Sequence, residues 1–164
     1  AAFRPRSLPA AGAFDVVEHI ADDATFLRRL HGQLVPGGRF YCTVPACPAL
    51  WSAEDAQAGH YRRYSRAGLA AVLRQAGFTV EYLTGFFLWL TLPVGLFRAL
   101  PTRLHLVNPA SAGGAAAMQA DHRLPALLAG VAARCHAWEL GCLQARRPIP
   151  FGTSLLCVAR ANVS

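Results

Sequence analysis

Two short apolar runs, set one helix length apart, constrain this chain more than any other feature of its sequence. The first covers residues 11–17 and the second residues 40–44. Between them Phe26, Leu27, Leu30 and Leu34 recur at helical spacing behind Asp22 and Asp23, either of which makes a good N-cap. Pro36-Gly37-Gly38 then stops the helix. Asp15 and Glu18 mark where the first run meets solvent, and Pro45 ends the second. A strand, a helix and a strand in this order are the rhythm of an open parallel α/β sheet.

The rhythm continues downstream. Residues 45–64 read as a long polar and aromatic loop. Ser65 caps a helix whose apolar stripe is Leu69, Val72, Leu73 and Ala76, and Gly77 ends it. Residues 78–83 read as a strand, with Phe78, Val80 and Tyr82 on one side. Residues 1–10 carry Pro5 and Pro9 without periodicity and are expected as loop. The run 85–100 is strongly apolar, but its uncharged part falls short of the ~20 residues that span a bilayer. Pro93 and Gly95 also break it, so no transmembrane helix is expected. A buried or dimer-forming helix is the preferred reading, ahead of a surface for lipid or a greasy substrate. Residues 108–121 are low-complexity and read as a linker. Leu124, Leu127, Leu128, Val131, Cys135, Trp138 and Cys142 mark an amphipathic helix ending near Arg146 and Arg147. Residues 148–152 form a rigid turn into a last strand, 153–159. The expected organisation is one domain over 1–164, with a helical insertion at 86–147 between the last two strands.

Charge is unevenly placed. The formal charge is +7, and every one of the sixteen basic residues is Arg. Six of the nine acids lie between Asp15 and Asp55, while eleven arginines lie beyond that point. These arginines are mostly scattered singly and no nucleic-acid module accompanies them, so a solvated basic surface is expected and no nucleic-acid partner. Five cysteines without a Cys-x-x-Cys pair read as reduced thiols, several in the core, in a cytoplasmic protein.

Three motifs, taken in order, carry a family resemblance: Phe14-Asp15-Val16-Val17-Glu18-His19-Ile20, Pro36-Gly37-Gly38, and Trp51-Ser52 followed by His60-Tyr61-Arg62-Arg63-Tyr64. With the closing residues 150–154 they resemble the C-terminal half to two-thirds of a class I S-adenosylmethionine-dependent methyltransferase of the small-molecule kind. The resemblance implies a partial Rossmann-like sheet, strands four to seven of that fold, and S-adenosylmethionine as cofactor. In the resembled family the position of Phe14 lines the cofactor, so Ala13, Phe14 and Asp15 are the expected cofactor-binding residues. An apolar wall there suits a sulfonium donor.

Glu18 and His19 are candidates for a substrate-facing site, the imidazole as general base or as anchor for an acceptor hydroxyl. The spacing Asp15-x-x-Glu18-His19 also resembles a metal-binding loop of ubiquinone-pathway and small-RNA methyltransferases. The substrate-facing reading ranks above it, and no metal is assigned. His60, Arg63 and Tyr64 complete the expected catalytic set: the arginines of the loop can clamp a carboxylate or phosphate, while His60 and the tyrosines shape an acceptor pocket under a lid that includes Trp51.

The resembled family also needs a glycine-rich turn after its first strand and an acid after its second, and residues 1–11 hold neither. The chain is therefore expected to be a truncated methyltransferase, acting on a small-molecule acceptor of apolar or lipid-like character. The rival reading is a non-catalytic remnant that docks to a partner or a membrane surface.

Overall fold

The computed structural model describes residues 5–106 and 126–163. Four strands, β1 (Leu8–Phe14), β2 (Leu34–Pro45), β3 (Phe78–Phe86) and β4 (Ser154–Ala161), form one sheet in the order β1-β2-β4-β3. β1 and β2 run parallel, joined through α1 (Asp23–Gln33). β4 enters between β2 and β3, antiparallel to both. β1, β2 and β3 therefore run the same way, as the parallel rhythm of the sequence predicts, and only β4 runs against them. A last strand arriving after a long connection can fill a gap that the earlier crossover left open.

Local chemistry fixes the helices. The Asp22 side chain accepts from Thr25 N–H at 2.9 Å and caps α1. Ser65 Oγ does the same for Gly68 N–H at 3.0 Å, opening α3 (Arg66–Gln75). Leu27 and Leu34 from α1 and its end, with Leu69 and Leu73 from α3, pack on one face of the sheet against Phe40, Cys42, Val44, Phe78 and Leu155. These helix-facing strand residues alternate with less buried ones. On the opposite face Glu81 pairs with Arg39 at 2.9 Å and with Arg160 at 3.1 Å. All five cysteines are free, and Cys42 lies opposite Cys157 in the core.

Several boundaries differ from the sequence reading. The first strand begins at Leu8, inside the stretch expected as loop, and it ends at Phe14. Pro9 is tolerated because β1 pairs only with β2 among the described residues, and an edge strand need not donate on both sides. The Pro-Gly-Gly turn lies within β2, where pairing jumps from Leu8↔Leu34 to Ala10↔Arg39 and residues 35–38 bulge out.

The largest difference is the apolar run after β3. No continuous buried helix forms there. The strand extends to Phe86, Phe87 turns at a φ of 57°, and the chain passes through Leu88–Leu90, Thr91–Val94, Gly95–Ala99 and Leu100–Arg103 as short turns of different helical pitch. Pro93 and Pro101 remove backbone donors at two points, so one uniform ladder cannot run through. Leu92 is 72% exposed and Phe97 77%. The long helix Ala126–Gln144 follows, anchored by Glu139, whose carboxylate accepts from the N–H groups of Phe87 and Leu88. Val131 and Trp138, expected on its buried stripe, are more than half exposed. The linker expected at 108–121, and Leu124 of the helical stripe, lie outside the described residues. No described helix is long and apolar enough to cross a membrane.

Candidate functional site

The two parallel strands deliver their carboxyl ends to the same edge of the sheet, and the segments leaving them are stitched to each other there. In open α/β sheets this edge is where ligands sit. Beyond β1, Asp15 adopts a φ of 52°, a conformation aspartate tolerates better than most residues. Its N–H donates to Thr43 O at 3.0 Å, and its Oδ1 accepts from Thr43 Oγ1 at 3.2 Å. A single turn, Val17–His19, then carries Glu18 inward. The Glu18 carbonyl accepts from Tyr61 N–H at 2.8 Å, tying this turn to the distant His60–Tyr64 segment.

Glu18 is fully buried, and neither oxygen of its carboxylate has a hydrogen-bond partner. Burial pushes its pKa above the usual carboxylate value, and Asp15 adds to the rise. Its own backbone N–H, then His60 and His19, offset it only in part. The two imidazoles meet edge to face, with ring centroids 4.7 Å apart. One ligand atom from each of Glu18, His19 and His60 lies within 4.8 Å of the other two. Asp15, the first residue of the Asp15-x-x-Glu18-His19 spacing, bonds Thr43 instead.

A second carboxylate holds this cluster in place. Asp55 sits in α2 (Ala53–Gln57) and is 2% exposed. It accepts from Arg63 Nε at 2.9 Å on both oxygens, from His60 Nδ1 at 2.9 Å and from Ser52 N–H at 2.8 Å. Burial alone would raise its pKa, but the hydrogen bonds from Arg63 and His60 and the Arg63 charge hold it below the usual carboxylate range. With Nδ1 donating to Asp55, the other ring nitrogen of His60 is the one left to accept a proton.

The expected site residues therefore separate into groups. Glu18, His19 and His60 come together, and Arg63 reaches them through Asp55. Arg63 Nη1 also donates to Ala46 O at 3.2 Å, and Arg62 pairs with Asp23 at 2.7 Å. Both arginines thus spend donors inside the protein, where the sequence suggested a clamp for a bound anion. Tyr64 is buried with its hydroxyl donating to Asp23 at 2.7 Å, and burial raises its pKa further. Its hydroxyl is thereby committed inside the protein. Of the expected cofactor residues, Ala13 is packed in the core and Phe14 is 61% exposed at the strand's end. Sequence reasoning passed over Asp55, although Ser52-x-x-Asp55 is a capping box and Asp55 precedes His60 by one turn and a half.

Comparison with known proteins gives the frame for this geometry. Residues 6–83 match the family model of a methyltransferase domain. No curated protein matches the chain by sequence. Among solved structures, one similar chain comes from the Haloferax volcanii complex between the Trm112 methyltransferase activator and a methyltransferase candidate: 19% identity, TM-score 0.52, covering 99% of this chain and 57% of that one. A methyltransferase candidate from Bacillus halodurans has 14% identity and a TM-score of 0.54, covering 98% of this chain and 67% of that one. Haemonchus contortus phosphoethanolamine N-methyltransferase 2, solved with S-adenosyl-L-methionine, has 15% identity and a TM-score of 0.52, covering 99% of this chain and 35% of that one. The fold is shared across these low identities, and the chain spans about half the length of the structures it resembles.

Proposed function

We propose, from the match of residues 6–83 to the family model of a methyltransferase domain, that this chain acts in moving a methyl group from S-adenosylmethionine to a small-molecule acceptor. One observation carries the reading furthest: Glu18, His19 and His60 gather at the carboxyl edge of the two parallel strands, beside the open end of β1. The residues at that end suit the cofactor. Phe14 offers an exposed ring as an apolar wall, and Asp15 is pinned to Thr43, which fixes the turn that follows.

S-adenosylmethionine supplies an electrophilic methyl group on a sulfonium, so the protein's task is mainly alignment and exclusion of water. His60 is oriented by Asp55 to take the proton that an acceptor hydroxyl or amine releases. His19 packs edge-on against the same ring and limits its rotation. Glu18 is buried beside both rings, and a positive charge on either imidazole would favour its ionised form. Calorimetry tests the core of this reading: S-adenosylmethionine should bind in the micromolar range. No binding, together with association to liposomes, would instead support the docking module.

A specific observation favours a second role for the same residues. A fully buried carboxylate with both oxygens unpartnered, close to two imidazoles, is a donor set that suits a divalent cation. Titration with Mn²⁺ alone, followed calorimetrically, should show a single site that weakens at least tenfold in His60→Ala. An unchanged or absent Mn²⁺ signal would leave the carboxylate with its proton-handling role only.

A further inference from the structure

Beyond the carboxyl end of β2 lies a cavity of about 280 Å³. Cys47 and Pro48 just after β2, Tyr64, Pro150 and Phe151 from the turn before β4, and Leu155 line it. Its walls are fixed by the backbone. Ala46 N–H donates to Thr153 O at 2.7 Å, and Cys47 N–H to Tyr64 O at 3.0 Å. Gly85 and Gly152 bring β3 and the turn before β4 so close that a Cβ on Gly152 would fall 2.2 Å from Phe86 O. The cavity is therefore preformed and does not rely on side chains that must reorder.

Its chemistry is one-sided. Among the residues that line it only Arg66 carries a formal charge, and that guanidinium donates to the carbonyls of Ile149 and Leu83 at 2.8 Å each. The Tyr64 hydroxyl is turned away to Asp23. Four ring side chains, Pro48, Tyr64, Pro150 and Phe151, supply flat apolar surface, and Phe151 stands 71% exposed. An apolar cavity of about 150 Å³ is enough for benzene, so this one has room for two fused rings. Besides the Arg66 guanidinium, already bound to two carbonyls, the polar groups here are the Ser65 and Thr91 hydroxyls, of which Thr91 Oγ1 is buried without a partner. A neutral ring bearing one hydroxyl therefore suits the lining better than a fully charged carboxylate or phosphate that would lose its water. The pocket shares Tyr64 with the His60–Tyr64 segment, and Arg63 bonds its wall at Ala46 O, so it adjoins the proton-handling groups.

We propose that this cavity holds the neutral, flat aromatic portion of the methyl acceptor. The inference rests on the methyl-transfer reading for what the bound molecule is, and on the cavity alone for what chemistry it has. It sets this chain apart from the similar Haemonchus enzyme, whose name gives a phosphorylated amine as its substrate.

The test is a fluorescence titration of the chain with 2-naphthol, 2-naphthoate and decanol, and of two variants with 2-naphthol. The wild type should bind 2-naphthol with a micromolar Kd, at least tenfold more tightly than 2-naphthoate and more tightly than decanol. Cys47→Phe, which fills the cavity from a half-buried position, should abolish binding, and Phe151→Ala at the exposed ring should weaken it about threefold. The exposed Leu92–Phe97 surface could bind an apolar probe as well, so only loss of binding in Cys47→Phe credits the cavity. Unchanged binding in that variant, equal affinity for the naphthoate, or a preference for decanol would each overturn the proposal. No arm needs S-adenosylmethionine. Naphthol binding without cofactor binding would overturn only the methyl-transfer reading, and cofactor binding without naphthol only this one.

Discussion

Glu18 and Asp55 are both carboxylates with almost no exposed surface, yet the chain treats them in opposite ways. Asp55 collects hydrogen bonds from Arg63, His60 and Ser52 and is held ionised. Glu18 has no partner for either oxygen, and burial favours its protonated form. Burying a carboxylate without compensation is costly, and a fold under no other demand would have paired it or replaced it. The contrast separates two kinds of buried charge at one site. Asp55 builds the site, and Glu18 is kept in reserve for something that enters it.

The largest effect should come from breaking the satisfied acid. Asp55→Ala strands Arg63 in a buried position and should cost about 3–5 kcal/mol of stability, read from urea denaturation. Glu18→Gln, which replaces a buried carboxyl that has no hydrogen-bond partner, should leave stability unchanged or raise it. Equal losses in the two variants would erase the distinction between them.

Acid titration sharpens the same contrast, with measurements made in chelator so that no cation contributes. Asp55 has a folded pKa below its unfolded value of 3.8, so its contribution is present above that pH and is lost as pH falls through the folded pKa. Asp55→Asn should remove that acid limb. Glu18 has a folded pKa above 4.5, so the folded state is favoured most below that pH and loses stability as pH rises towards the folded pKa. In Glu18→Gln this second loss should vanish. A wild-type profile that superimposes on both variants would mean that neither group is perturbed.

A smaller effect is expected from Arg63→Lys. The charge stays, but a point cation cannot reproduce the planar contact of one guanidinium with both Asp55 oxygens and Ala46 O. The loss should be roughly 1–2 kcal/mol, of the size of one or two charge-assisted hydrogen bonds. If turnover is measurable, its pH profile should shift as well, because His60 shares Asp55. A stability loss with an unmoved profile would make Arg63 purely structural.

Much of this site was legible in the sequence, and the parts that were not share a cause. The spacing of Phe26, Leu27, Leu30 and Leu34 announced α1, and Phe14–Ile20 announced the loop that holds Glu18 and His19. Local pattern carries such information because one turn of chain produces it. The joining of His60 to Glu18 was not legible, since it depends on Tyr61 N–H reaching the Glu18 carbonyl across more than forty residues. The position of β4 between β2 and β3 was hidden for the same reason. The arginines misled differently. His60-Tyr61-Arg62-Arg63-Tyr64 advertises cationic donors, but of the acids that consume them Asp23 reads as a helix cap and Asp55 lies in a segment that reads as loop. In Asp55 the two roles coincide, because its own side chain caps α2 while anchoring the cluster.

That double role sets the smallest predicted effect. Ser52 and Asp55 form a reciprocal box at the start of α2, with Ser52 N–H donating to Asp55 Oδ2 at 2.8 Å and Ser52 Oγ at 3.2 Å from the same oxygen. Ser52→Ala removes the hydroxyl but keeps the backbone donor and leaves both Arg63 and His60 in place. It should cost about 1 kcal/mol, the usual worth of a helix cap, and leave the acid limb belonging to Asp55 where it was. If the limb moves towards higher pH by as much as Arg63→Lys moves it, the hydroxyl matters to the carboxylate as much as the guanidinium does. Asp55 would then be balanced by a few weak contacts of equal worth, and its resistance to protonation would not come from the buried arginine.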